Sequence, residues 1–194
     1  MSDAAPTTDP HVGVRLRALR GSAGVSAAEL GRRIGISTSA VSQIERGVMQ
    51  PSVARLIAIT DALGVPLAAA FRADDDVTPA EGIAVTRSDD AAPLSLGGGV
   101  TFRRLAPGPT PGVDYFESVY PPGSTATAKN RMLRHEGYEV GEVTRGMLSI
   151  EFSDETVDIS PGDTISYPCH VPHRIHNRGS EVAVARWLIV HPAS

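Results

Sequence analysis

Apolar positions in the first third of the chain recur at three- and four-residue intervals, the spacing of one helix face. Val12, Leu16, Leu19 and Ala23 set the first helix, which Gly24 can end. Ser26-Ala-Ala-Glu29 has the form of a capping box, in which hydroxyl and carboxylate each satisfy an orphan amide. It opens a second helix with Leu30 and Ile34 inward, and Gly35 supplies a left-handed turn residue. Ser37 caps a third helix carrying Ala40, Val41 and Ile44, ended by Gly47. Pro51 and Ser52 introduce a fourth, with Val53, Leu56, Ile57, Thr60 and Leu63 inward and Gly64 after it. Residues 66–71 read as one last helical turn or two. Five short helices thus occupy about sixty residues.

Beyond Asp74-Asp75-Asp76 and the Thr78, Pro79 and Gly82 that follow, the period shortens to that of strands. Residues 83–88, 100–105, 113–120, 139–144, 147–152, 156–159, 164–167 and 182–190 read as strands. Turn pairs such as Pro107-Gly108, Pro122-Gly123 and Pro161-Gly162 separate them. Many short strands at this spacing predict a sandwich or barrel. The organisation expected is a disordered tail (1–10), a helical domain (11–72), a linker (73–82) and a β domain (83–194).

Charge divides at the same boundary. The 194-residue chain has a formal net charge of −4, yet residues 11–72 are net +5 and residues 73–194 are net −7. A basic module can lie against phosphates where an acidic one cannot. Cys169 is the single cysteine, which excludes an intramolecular disulfide and fits a reducing compartment. Residues 1–10 lack the apolar core of a signal peptide, and no apolar run approaches a bilayer span. A soluble, cytoplasmic protein with no membrane partner is expected.

Two short helices joined by a tight glycine turn are the geometry that places a second helix in the major groove. Thr38, Ser39, Ser42 and Gln43 would lie on its exposed face, with Ser37 at its start, ready to bond base edges or phosphates. Arg17, Arg20, Arg46 and Arg55 are candidates for phosphate contacts. The stretch Leu16-Arg-Ala-Leu-Arg20, Ser26-Ala-Ala-Glu-Leu30, Ile34-Gly-Ile-Ser37, Val41-Ser-Gln-Ile-Glu-Arg-Gly47 and Pro51-Ser52 resembles the Xre (lambda-repressor-like) helix-turn-helix family. Two positions depart from the pattern: Ala27 stands where a longer polar residue is usual, and Val48 where a basic one is common. The resemblance implies a transcriptional regulator that binds double-stranded DNA. A single reader contacts few base pairs, so a homodimer on a pseudo-palindromic operator is expected.

In the second half, His135-x-x-x-Glu139 and His173 offer two imidazoles and a carboxylate, a set that suits a first-row divalent metal. Strand alternation would turn His173, Ile175 and Asn177 to one face and His176 to the other. With Gly146, Gly162 and Pro168, these residues resemble the two motifs of the cupin superfamily, a small jelly-roll barrel. The fold class implied is multidomain α + β, a five-helix lambda-repressor-like domain followed by a cupin barrel that senses a small molecule. The family's usual first histidine falls on Leu133, which cannot coordinate, and His170 replaces a customary glycine. Three readings stay open: a three-ligand metal site, a metal-free site in which the same residues bond an effector, and histidines that are merely satisfied in the core. Cys169 and His170 could add ligands, although a lone cysteine is more often a small buried hydrophobe.

Arg131, Arg134, Tyr138, Tyr167 and His170 are the candidate effector-binding residues, the arginines for an anionic group. Phe102, Tyr115, Phe116 and Trp187 could line a pocket or simply the core. Against the ligand-responsive regulator stand two other readings. One is a metal-dependent cupin enzyme, a dioxygenase or isomerase, with an auxiliary helical domain; the other is an antitoxin-like interaction module.

Overall fold

The computed structural model describes residues 10–71, 83, 85–87, 93–107, 110, 112–127 and 131–191. The expected tail (1–10) and linker (73–82) therefore lie almost wholly outside the described residues. Among the described residues, four α-helices form the first body: α1 (Pro10–Ser22), α2 (Ala27–Ile34), α3 (Thr38–Glu45) and α4 (Val53–Leu63). Ser26, Ser37 and Ser52 are the N-caps of α2, α3 and α4, and each hydroxyl accepts from the backbone N–H three residues on.

The capping box at α2 closes on one side only. Ser26 Oγ accepts from Glu29 N at 3.1 Å, but the Glu29 carboxylate turns to Arg32 and Arg33, at 2.7 and 2.8 Å. Those two guanidinium groups hold its carboxyl down at about 2. Gly35 ends α2 at φ 66°, the left-handed conformation required by the turn. A Cβ on Gly31 would come within 2.7 Å of the Ile36 carbonyl, so the approach of α2 to α3 needs glycine there.

The fifth helix is not an α-helix. Leu67–Ala70 is a single 3₁₀ turn preceded by Pro66, which offers no side-chain cap. A one-turn stretch has no second turn to propagate, and at Phe71 the chain leaves it extended.

Among the described residues, nine strands form two antiparallel sheets. The larger has the order β1 (Leu94–Ser95), β2 (Thr101–Arg104), β3 (Val113–Tyr120), β9 (Ala183–Val190), β4 (Tyr138–Arg145), β7 (Thr164–Pro168). The smaller has the order β6 (Thr156–Ile159), β5 (Leu148–Phe152), β8 (His173–His176). Phe116, Tyr120, Val143, Leu148, Ile150, Ile175 and Trp187 fill the interior. Gly141 pairs with Trp187, and a Cβ there would come within 2.2 Å of the indole, so the ring lies flush on β4 because that residue is glycine. The strand expected at 83–88 does not form at its described residues; Ile83 is 96% exposed and has no sheet to join. Residues 84 and 88 lie outside the described ones.

The two bodies share a continuous apolar core. The rings of Phe71 and Phe116 stack with centroids 5.1 Å apart. Ala54 N donates to Ala126 O at 3.0 Å, Gly97 N to Pro51 O at 2.9 Å, and Ala68 N to Asp114 Oδ1 at 3.3 Å. Every one of these contacts is made by the segment 51–71. Among the described residues, no helix is long and apolar enough to cross a membrane.

Candidate functional site

Helix α3 packs on α1 and α2 through Val41 and Ile44. That leaves Thr38, Ser39 and Arg46 exposed, with Ser42 and Gln43 half-buried beside them. Ser37 is engaged at the helix start, accepting from Ala40 N at 3.1 Å and sharing a 2.9 Å bond with Ser39 Oγ. Arg17 is exposed on α1.

Arg20 is placed differently from its expected role. Its Nε and Nη2 donate to the Glu45 carboxylate at 2.5 and 2.9 Å, and Nη1 donates to Val25 O at 2.8 Å. Glu45 is buried, so the arginine ties α1 to the end of α3 and is withdrawn from the outer face. Its pKa is raised by the bond to Glu45. Arg55 likewise turns inward, donating to Ile34 O at 3.0 Å, and burial followed by the charge of Arg131 lowers its pKa.

In the β body, His135, Glu139 and His173 come together although they lie on a loop, β4 and β8. All three are buried, and their ligand atoms lie within 4.8 Å of one another. Glu139 Oε2 is 3.8 Å from His135 Nε2 and 3.5 Å from His173 Nε2. Each imidazole makes its Nδ1 bond to a backbone carbonyl, His135 to Glu136 O at 3.0 Å and His173 to Val171 O at 2.9 Å. A carbonyl only accepts, so in the neutral ring Nδ1 carries the hydrogen and Nε2 presents a lone pair. His173 Nε2 is buried and has no hydrogen-bond partner.

Two lone pairs and a carboxylate oxygen thus converge on one point, each imidazole fixed from behind, as metal-binding histidines are. Bonds of about 2.0–2.2 Å to one ion would draw these atoms to about 3–3.5 Å apart, a small closure of the present spacing. The donor set fits a divalent first-row ion. Tyr167 donates to Glu139 Oε2 at 3.0 Å, and its ring lies 4.8 Å from that of His173. Burial, then the Glu139 charge, keeps this phenol protonated.

His135 and Glu139 of the triad open on a narrow cavity whose free space is about that of a single water molecule. His135, Glu139, Leu133, Tyr120, Phe102, Phe116, Trp187, Ile175 and Ile189 line it from the barrel. Val53, Ile57 and Leu67 line it from the helical body. Leu133 is buried and bridges the His173 backbone, so it serves as apolar wall.

Most of the residues expected to bind an effector lie elsewhere. Arg131, Arg134 and His170 are exposed, and Tyr138 is 54% exposed, because the alternation that turns Glu139 inward turns its neighbour out. Tyr115 points outward for the same reason, whereas Phe102, Phe116 and Trp187 do line the cavity. Only Tyr167 among the five effector candidates enters the interior. Cys169 is buried, and burial, then the Glu139 and Asp61 charges, pushes its thiol up to about 12. Asn177 is structural, donating to Tyr120 O and Glu181 O at 2.8 and 2.7 Å. The residues that sequence reasoning missed are Tyr120, Val53, Ile57 and Leu67; the last three carry only the signature of ordinary core.

Comparison with known proteins assigns the two bodies. A helix-turn-helix domain model matches residues 11–73, and a cupin domain model matches residues 116–191. The chain is 24% identical over 181 residues to the HTH-type transcriptional regulator PuuR of Escherichia coli, covering 92% of this chain and 93% of that protein. The crystal structure of an HTH_3 family transcriptional regulator from Vibrio cholerae superposes with a TM-score of 0.70 at 23% identity, over 96% of this chain and 98% of that one. The crystal structure of iron(II) HppE aligns over 94% of this chain and 100% of that one, at 18% identity and a TM-score of 0.48.

Proposed function

From a chain homologous to the Xre-family regulators that join a helix-turn-helix domain to a cupin domain, we propose a cytoplasmic, sequence-specific DNA-binding regulator whose operator affinity is set by a small molecule in the barrel. Residues 11–72 are the reader, 73–82 the linker and 83–194 the sensor. The reading rests on one observation: the polar face of α3 is open while the contacts that dock the helical body on the barrel come from segment 51–71. Thr38, Ser39, Ser42 and Gln43 would meet base edges, and Ser37, Arg17 and Arg46 phosphates. His135, Glu139 and His173 would hold a divalent ion that polarises or anchors the effector.

A homodimer on a pseudo-palindromic site follows from the small footprint of one reader. The outer face of the larger sheet suits a second copy. Its rows Tyr115–Leu188–Val140 and Val113–Val190–Tyr138 are apolar, and the row beside them, Arg103–Glu117–Arg186–Glu142, alternates in charge.

Selection from a random duplex pool tests the reading. A defined, two-fold related sequence should emerge, and its affinity should fall steeply as salt rises. Enrichment of no sequence would refute it. The triad also supports a second reading, a metal-dependent cupin enzyme acting as dioxygenase or isomerase. Turnover of a small substrate by iron- or manganese-loaded protein, with no sequence selected from the pool, would favour that one.

A further inference from the structure

We propose that the reading domain supplies one wall of the ligand site: Val53 and Ile57 of α4 and Leu67 of the next turn line the same cavity as His135 and Glu139, and the ligand is a small, mainly apolar molecule bearing one hydrogen-bond-accepting oxygen. This deepens the sensor reading above and rests on it.

Val53 and Ile57 are one helical turn apart, so both point to the same side of α4. They are buried, and the helix is pinned to the barrel at its start by the Ala54–Ala126 and Gly97–Pro51 bonds. Further along the chain, the Phe71–Phe116 stack and the Ala68–Asp114 bond fix Leu67 in the same way. The reader therefore closes the barrel and is part of its interior.

The chemistry of the ligand follows from which groups are left wanting. The lining is aliphatic and aromatic except at the triad and at Tyr120. Tyr120 is fully buried, and its hydroxyl has no hydrogen-bond partner. Burial keeps the phenol protonated, so it presents an O–H to the cavity. The neighbouring Ser118 lies near enough to act weakly on the phenol, but no bond between the two meets hydrogen-bond geometry, and Ser118 Oγ is engaged with Trp187 Nε1 at 2.8 Å and with Ala185 O. An oxygen acceptor on the ligand satisfies Tyr120, and an apolar body satisfies Val53, Ile57, Phe102 and Ile189. A carboxylate would need an ion at the triad to offset Glu139, whereas a ketone would not.

Residues 46–52 connect the recognition helix α3 directly to α4. A ligand too large for the wall moves α4 and with it α3, so the reader senses ligand size by contact.

Trp187, the single tryptophan, lines the cavity and reports occupancy without DNA. The full chain, with and without one equivalent of Zn²⁺, is titrated with straight-chain monocarboxylates and methyl ketones of increasing length. One series should bind, the acids only with the ion. Ile57→Val should shift the preferred length upward and Ile57→Phe downward, and Tyr120→Phe should weaken binding about 2- to 10-fold. If Ile57→Phe disturbs the fold, Ile57→Val, which removes one methylene, carries the test. Unchanged length preference in the folded Ile57 variants would overturn the reader's share in the site. Failure of both series to bind, or an unaffected Tyr120→Phe, would overturn the ligand class. None of these outcomes depends on operator binding, so the duplex selection stands or falls separately.

Discussion

Tyr167 donates its hydroxyl to Glu139 Oε2 at 3.0 Å, the same oxygen that the Nε2 atoms of His135 and His173 face. The bond spans β7 and β4, whose pairing sets Tyr167 directly opposite Glu139. One phenol thus fixes the rotamer of the carboxylate in a triad whose imidazoles are fixed by backbone carbonyls. Tyr167→Phe keeps the ring against Phe152 and His173 and frees the carboxylate. Affinity for a divalent ion should fall about 10- to 100-fold, the usual effect of losing a supporting partner. Calorimetric titration with Zn²⁺ measures it, and equal affinity in the two proteins would remove Tyr167 from the site.

Arg20 and Glu45 hold the reader together. Removing the guanidinium leaves a carboxylate that is 8% exposed with its bidentate partner gone. Arg20→Ala should therefore cost about 3 kcal/mol, the lower end for breaking a buried pair because the arginine itself is partly exposed. Arg20→Ala with Glu45→Gln should recover part of that loss. Urea denaturation of the variants decides the matter; equal stability of wild type and Arg20→Ala would return Arg20 to the outer face.

What the sequence disclosed follows from where its signals are local. Serine caps, the glycine after α2 and the three-four spacing of Leu30, Ile34, Val41 and Ile44 act within a turn or two, and α1 to α4 formed where they indicated. Strands 113–120 and 156–159 were equally plain, since alternation writes burial directly into the chain. Strand β8 has no strand signal of its own, since four residues with two histidines and an arginine look polar, yet alternation gives its facing: His173 and Ile175 are buried and His176 half-buried. Whether the triad holds a metal stayed one of three readings, but its three residues were legible from their donor chemistry together with the cupin resemblance. Arg20 was not, because a charged residue on a helix face looks the same whether it meets phosphate or Glu45. The share of α4 in the cavity was invisible for a deeper reason: Val53 and Ile57 satisfy the pattern of a helical core, and only tertiary packing shows that the core belongs to two domains.

Cys169 should be chemically silent. Its thiol is pushed up to about 12, so almost no thiolate exists near neutral pH, and the side chain is buried. Folded protein should react with a disulfide reagent at pH 8 only as fast as it opens, and at once in denaturant. The unfolded thiol ionises near its ordinary value of 9, so the associated stability is complete below that pH and is lost as pH rises toward 12. Rapid labelling of the native protein at pH 8 would contradict this environment.

Phe71 should decide whether the two bodies melt as one. It leaves the 3₁₀ turn extended and lays its ring on Phe116, itself tilted against Phe102 at 6.0 Å, so a helical-body residue completes an aromatic row inside the barrel. Phe71→Ala removes a buried ring at a place the barrel cannot collapse to fill, a loss of about 3–5 kcal/mol. Its other consequence is specific to a shared core. The reader then keeps Leu16, Leu30, Val41 and Leu56 but loses its largest anchor, while the barrel keeps both sheets. Calorimetry should show one transition in the wild type and two in Phe71→Ala, the lower one from the helices, and binding of a small molecule should then raise the lower transition, because the site needs Val53, Ile57 and Leu67 of the helical body. A single, merely lower transition would mean that the Ala54–Ala126 and Ala68–Asp114 bonds suffice to couple the bodies, and that the aromatic row adds stability without adding cooperativity.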